Sequence, residues 1–189
     1  VHAYYDNAVS RAIEFGAKSI EHGHLMTEKV IRQMAREDVY LVVEALMSTS
    51  DAPPSFTADQ REKFELAKSG FVEMIELAKK HDLKIAFGSD VFLSKDAYAL
   101  QSMEWVARSE FFTPVENLRQ ATSIGGEILA LSGPRSRYKE GPLGVIKPGA
   151  YADLLLIDGE PLNDIKILAD PDSNLRLIMK DGVIYKNTL

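Results

Sequence analysis

No cysteine occurs among the 189 residues. Disulfides, thiolate metal sites and cysteine nucleophiles are thereby excluded, although the redox compartment is left open. Basic clusters are also lacking: 22 Lys and Arg against 28 Asp and Glu give a net charge of −6. Nucleic acid and anionic membrane are therefore not expected as partners. No apolar run approaches the roughly 20 residues that a transmembrane helix needs. There is no low-complexity tract and no repeat beyond a strand–helix period. The chain opens VHAYYDN, without methionine or leader, and a histidine already sits at what reads as a strand end. This predicts the C-terminal part of a longer protein. A cytoplasmic location is the expectation, with a periplasmic or secreted one open.

What is present is ordinary for a globular chain: 46% hydrophobic and 26% charged residues. NAVSRAIEFG, residues 7–16, has the apolar spacing of a short helix stopped by glycine. AKSIEH then reads as a buried strand ending at His22, and Thr27 as the cap of the helix EKVIRQMARED. VYLVVEAL, 39–46, is a second strand, rich in β-branched residues; a long helix is expected from about Thr57 to His81, and LKIAFGSD, 83–90, as the next strand. Helical patterns follow over roughly 96–109, 114–121 and 124–131.

Strands that alternate strictly with helices indicate a parallel sheet. Four such units correspond to half of a (β/α)8 barrel. The rival is an open doubly wound sheet, weakened because no glycine-rich phosphate fingerprint follows a strand. The tail differs in character. SGPRSRYKEGPLGVIKPGAYAD is rich in Gly and Pro, ADLLLIDGEPL contains a strand, and LRLIMKDGVIYKN places two β-rich arms around Asp181-Gly182, a hairpin signal. The domain expectation is a barrel part over 1–140 and a small β module over 141–189.

In a parallel barrel the active site lies at the C-terminal strand ends. There the sequence offers His2, His22, Glu44 and Asp90. Two imidazoles and a carboxylate at one mouth suit a divalent metal of the zinc type. Spacing alone leaves a metal site and hydrogen-bonded core histidines as equal readings.

The segments VHAYYDNAVSRAIEFGAKSIEHGHLMTEKVIRQMAREDVYLV, KIAFGSD, GVIKPGAYADLLLIDGEPLNDI and IMKDGVIYKN, in this order, resemble the amidohydrolase superfamily. The branch is imidazolonepropionase-like and includes prolidase-like Xaa-Pro, Xaa-Arg and Xaa-Lys peptidases. The resemblance implies an α/β fold: the C-terminal half (strands five to eight) of a TIM-type barrel, plus part of a small β-sandwich. It implies that His2 and His22 hold the second metal of a binuclear zinc centre. Asp90 would bind the first metal and act as general base, and Tyr4 would lie near the scissile carbonyl.

His24, expected in the loop beyond the strand, is a substrate-binding candidate, with metal ligation or a structural place as the alternatives. The family's His-x-His after strand one and its bridging lysine after strand four have no counterpart here. Glu44 stands where many relatives have an uncharged Pro-Thr pair and is expected at most to attract a cationic substrate group.

The implied activity is cleavage of an amide or dipeptide bond in a small-molecule substrate. The alternatives are a catalytically incomplete half-barrel that needs a partner chain, and a cyclic amide hydrolase. With Asp90 serving the other metal, two ligands remain for His2 and His22, so this chain is expected to retain metal weakly. Open sheet edges and an apolar inner face, with Ile20, Val42 and Phe87 as its expected residues, predict self-association or pairing with a complementary N-terminal half.

Overall fold

The structure is a computed structural model that describes residues 1–91, 98 and 100–189. Its contacts divide into two compact units, Val1–Ser89 and Asp90–Leu189.

The first unit is built of strand–helix steps. Strand β1 (His2–Tyr5) leads into α1 (Asp6–Glu14), and β2 (Ser19–Leu25) into α2 (Glu28–Arg36). Strand β3 (Tyr40–Val43) is followed by the short α3 (Leu46–Thr49) and the long α4 (Ala58–Lys80), before β4 (Ile85–Phe87). All four strands are parallel and lie in chain order, β1-β2-β3-β4. Each strand therefore neighbours its sequence successor, and the order does not reverse as it does at the switch point of a doubly wound sheet.

The helices form where the apolar spacing placed them. Val30, Ile31 and Met34 of α2 are buried, as are Phe71, Met74, Ile75 and Ala78 of α4. Helix α4 starts on a reciprocal capping box between Thr57 and Gln60 and ends at His81. Thr27 holds the N-cap position of α2, but its hydroxyl does not cap the helix. It donates instead to Asp6 Oδ2 at 2.6 Å, while the Thr27 amide donates to Asp6 Oδ1 at 2.8 Å. The start of α1 is thereby tied to the turn after β2, next to the strand ends.

The second unit contains α5 (Glu104–Arg108), α6 (Pro114–Ala121) and α7 (Ser123–Ala130), then β5 (Leu154–Ile157), α8 (Pro171–Asn174), β6 (Leu175–Lys180) and β7 (Val183–Asn187). The expected helix over 96–109 appears as a short 3₁₀ turn, Gln101–Met103, followed by α5; residues 92–97 and 99 lie outside the described residues. The strands of the tail form an antiparallel sheet, β5-β6-β7. Asp181 (φ 49°) and Gly182 (φ 76°) make the turn of its hairpin, both with the positive φ that the tight hairpin turn requires.

This unit also buries a polar network. Arg108 and Glu104 are wholly covered, with Arg108 Nη1 3.4 Å from Glu104 Oε1. Arg108 Nε donates to Asn117 Oδ1 at 3.0 Å, Arg108 Nη2 donates to Gln120 Oε1, and the guanidinium lies 4.8 Å from the Phe112 ring centre.

Candidate metal centre

Strands β1 and β2 and the end of β3 bring five polar side chains together, with His2 at the start of β1 and not, as expected, at a strand end. β1 contributes His2 and Tyr4, β2 contributes His22 and His24, and Glu44 directly follows β3. The His2 and His22 rings stand edge to face with centres 4.4 Å apart. Tyr4 stacks flat on His22, at 4.9 Å with 3° between the planes. His24 meets Tyr4 edge-on at 5.5 Å and Phe71 of α4 at 5.3 Å.

A break in strand pairing shapes this group. Ala3 pairs with His22, so regular pairing would set His24 opposite Tyr5, yet Tyr5 faces Leu25. One extra residue is therefore accommodated in β2, as in a β-bulge. The backbone takes it up at two consecutive left-handed residues, His22 (φ 77°) and Gly23 (φ 66°). Position 23 favours glycine for this φ, and a Cβ there would also require the flexible Met26 side chain, 2.6 Å away at its methyl carbon, to shift. At His22 the same conformation is uncommon for a residue with a side chain, and such strain gathers at functional sites. The strand thus continues to Leu25 instead of ending at His22, and His24 lies within it, not in a loop.

His22 Nδ1–H donates to Glu44 Oε1 at 2.5 Å, and both side chains are buried. His24 Nε2 lies 3.4 Å from the same oxygen but not in hydrogen-bonding geometry. Neither ring nitrogen of His24 meets a hydrogen-bond partner among the described residues. Burial, and then the charge of His22, push the His24 imidazole down to about 3, so at neutral pH it carries a free lone pair. Donor atoms of His22, His24 and Glu44 all lie within 4.8 Å of one another. Two imidazole nitrogens and a carboxylate oxygen suit a borderline divalent ion, and a buried histidine without partners is an acceptor in want of one.

Of the residues singled out from the sequence, His2, Tyr4, His22 and His24 come together within the first unit. Asp90 belongs to the second unit; it is exposed and has φ 49°. Glu44, expected at most to attract a cationic substrate group, instead accepts the hydrogen bond of His22. Its signal was its place one residue beyond β3, on the strand next to the one that carries both histidines.

The sequence profile of the amidohydrolase family matches residues 1–185, and the chain belongs to that family. Over 98% of its length it is 24% identical to the ochratoxinase of Aspergillus niger, of which it covers 37%. A prolidase solved in complex with N-methylphosphonate-L-proline is 30% identical, with a TM-score of 0.85 over 99% of this chain and 44% of that one. A Xaa-Pro dipeptidase with methionine bound in its active site is 26% identical, with a TM-score of 0.81, again over 99% of this chain and 44% of that one. The chain thus spans less than half the length of these relatives.

Proposed function

We propose that this chain carries the C-terminal half, strands five to eight, of the barrel of a metal-dependent hydrolase that cleaves amide or peptide bonds, together with part of a small β-sandwich. Dipeptides of the Xaa-Pro or Xaa-Arg type are the proposed substrates. The observation that carries the reading is the convergence of His2, Tyr4, His22 and Glu44 on neighbouring parallel strands laid in chain order, beside the C-terminal end of β3. In a barrel this is the face where the chemistry is done. The likeness to a prolidase and a Xaa-Pro dipeptidase supports the choice of bond.

His2 and His22 would hold the metal, with Asp90 assigned as a further ligand from the family resemblance. A divalent ion such as zinc, when bound, supplies Lewis-acid polarisation of the amide carbonyl and acidifies a water molecule. Asp90 accepts the proton of the attacking water and passes it to the leaving amine. Tyr4, partly exposed beside His22, is placed to donate a hydrogen bond to the carbonyl oxygen. His24, the other substrate-side candidate, is covered.

The test is release of amino acid from Xaa-Pro, Xaa-Arg and Xaa-Lys dipeptides, with a cyclic amide in parallel, by the zinc-supplemented protein. It is assayed alone and together with a polypeptide that carries the first four barrel units. Turnover that falls away with Asp90→Asn is the expected result. No turnover of any amide in either arrangement would overturn the reading.

A further inference from the structure

We propose that Glu44 is a positioning residue for His22: its carboxylate keeps the proton of the ring on Nδ1, so that Nε2 is the nitrogen His22 presents to the metal. The inference rests on the ligation by His22 proposed above. It gives Glu44 a part that the family resemblance does not assign.

The first observation is the bond itself. Glu44 Oε1 lies 2.5 Å from His22 Nδ1, and the two side chains are only 8% and 6% exposed. An ionised carboxylate can only accept, so the contacting nitrogen carries the proton. In a neutral imidazole the lone pair then belongs to Nε2, because the bond made by one ring nitrogen settles the role of the other. The bond is charge-assisted and shielded from water, which makes it stronger than an ordinary one.

The second observation is that this bond and the ring stacking fix different things. Tyr4 lies flat on His22, 4.9 Å away with 3° between the planes, and so fixes the plane of the ring. Stacking does not tell the ring from its flipped form, in which Nδ1 and Cδ2 change places. The Glu44 bond does, because flipping breaks it. Together the two contacts leave Nε2 one direction.

The third observation is how Glu44 is held. It stands between β3 and α3, and the next residue, Ala45, is fully buried. The Ala45 carbonyl accepts from the Ser48 amide at 2.9 Å and from the Ser48 hydroxyl at 2.7 Å. The carboxylate is thus presented from a closed turn. Burying a charged pair is a poor way to stabilise a fold, since desolvation offsets much of the attraction. Orienting a ligating imidazole through its other nitrogen is a recurring use of a carboxylate beside a metal.

The test uses the whole 189-residue chain, first without metal. Long-range nitrogen–proton NMR spectra of histidine-labelled protein, recorded up to alkaline pH, report which ring nitrogen keeps the proton. His22→Phe identifies the signals. Wild-type His22 is expected in the Nδ1–H form, with that proton far downfield. Glu44→Leu, which cannot accept, should shift the ring to the Nε2–H form. Glu44→Gln, which keeps the shape without the charge, should move the proton resonance upfield, and it decides the matter should Glu44→Leu fail to fold. Zn²⁺ affinity, measured against a chromophoric chelator, should fall about tenfold to a hundredfold with Glu44→Leu and less with Glu44→Gln.

The proposal is overturned if wild-type His22 carries its proton on Nε2, or if neither substitution moves the signals. It is equally overturned if the substituted chains bind zinc as tightly as wild type. Failure of the amide-hydrolysis reading would show instead as absent turnover with the ring signals as expected, so the two are told apart.

Discussion

Gly70 of α4 lies against the backbone of His24 so closely that a Cβ on it would sit 2.3 Å from the His24 carbonyl oxygen. The same Cβ would lie 2.8 Å from a Leu25 methyl carbon. This contact lets the long helix press onto the end of β2, and the next residue, Phe71, stands edge-on to the His24 ring. Glycine inside a helix costs about 1 kcal/mol relative to alanine. Here that cost is accepted for the close approach.

Gly70→Ala is therefore expected to destabilise, although it raises helix propensity. Overpacking against backbone, which cannot rotate away, costs about 1–3 kcal/mol. Urea unfolding should show a lower midpoint. A variant as stable as wild type would mean that the approach of α4 to the His24 backbone does not require glycine.

The tie between α2 and α4 should be sensitive to acid. Glu28, in the first turn of α2, accepts hydrogen bonds from Lys80 Nζ and His81 Nε2, each at 2.7 Å. The bond from Lys80 first, then that from His81, holds its carboxyl down at about 2, well below the ordinary 4.5. A carboxylate whose folded pKa is depressed adds stability that is complete above its unfolded pKa and is lost as pH falls through the folded one. Wild type should therefore exceed Glu28→Gln in stability at pH 7, and the gap should close between about pH 4.5 and pH 2. High salt should narrow it at pH 7 as well, since the pair is exposed. Denaturant midpoints of both proteins across this range check the expectation.

Much of the scaffold was legible before the structure. The strand–helix alternation gave the parallel sheet, the Thr57–His81 boundaries nearly match α4, and Asp181-Gly182 marked the hairpin. These features rest on local signals: apolar period, caps and turn residues. What escaped was non-local. The end of β2 is not legible in the sequence because the bulge depends on a left-handed non-glycine residue, His22, which no propensity announces. Glu44 became interesting only once β3 was set beside β2. The expected inner-face residues Ile20, Val42 and Phe87 do not share one face, because the register pairs Ile20 with Leu41 and Val43 with Phe87. Val42 pairs with Glu21 and Ala86 and so belongs to the opposite face.

The buried Arg108 network should behave as a unit. Arg108→Ala removes the guanidinium that serves Glu104, Asn117 and Gln120 in a site with no exposure to water. Breaking a buried ion pair on one side costs about 3–5 kcal/mol, whereas replacing both partners by apolar residues of similar size is often close to neutral. The double variant Glu104→Leu, Arg108→Met should therefore be more stable than Arg108→Ala by chemical denaturation. Equal losses would mean that packing, not the unpaired charge, dominates this site.

The tail sheet should drive concentration-dependent association. Pairing places Leu154, Met179 and Ile184 in one row and Leu156 and Leu177 in the next on the same face. None of these side chains is buried, and Leu154, Leu156 and Ile184 are 37%, 46% and 50% exposed. Contiguous apolar faces beyond a few hundred Å2 are unusual on monomers and mark interaction surfaces. Covering about 400 Å2 of such a surface is worth on the order of 10 kcal/mol at 25 cal/mol per Å2, before the cost of association is subtracted. Light scattering at micromolar concentration should accordingly report species larger than the 21.0 kDa chain. Leu156→Glu combined with Ile184→Lys, which places charge in the middle of the face, should shift the equilibrium toward the single chain. If the wild-type chain scatters as a monodisperse monomer across that range, this face does not associate.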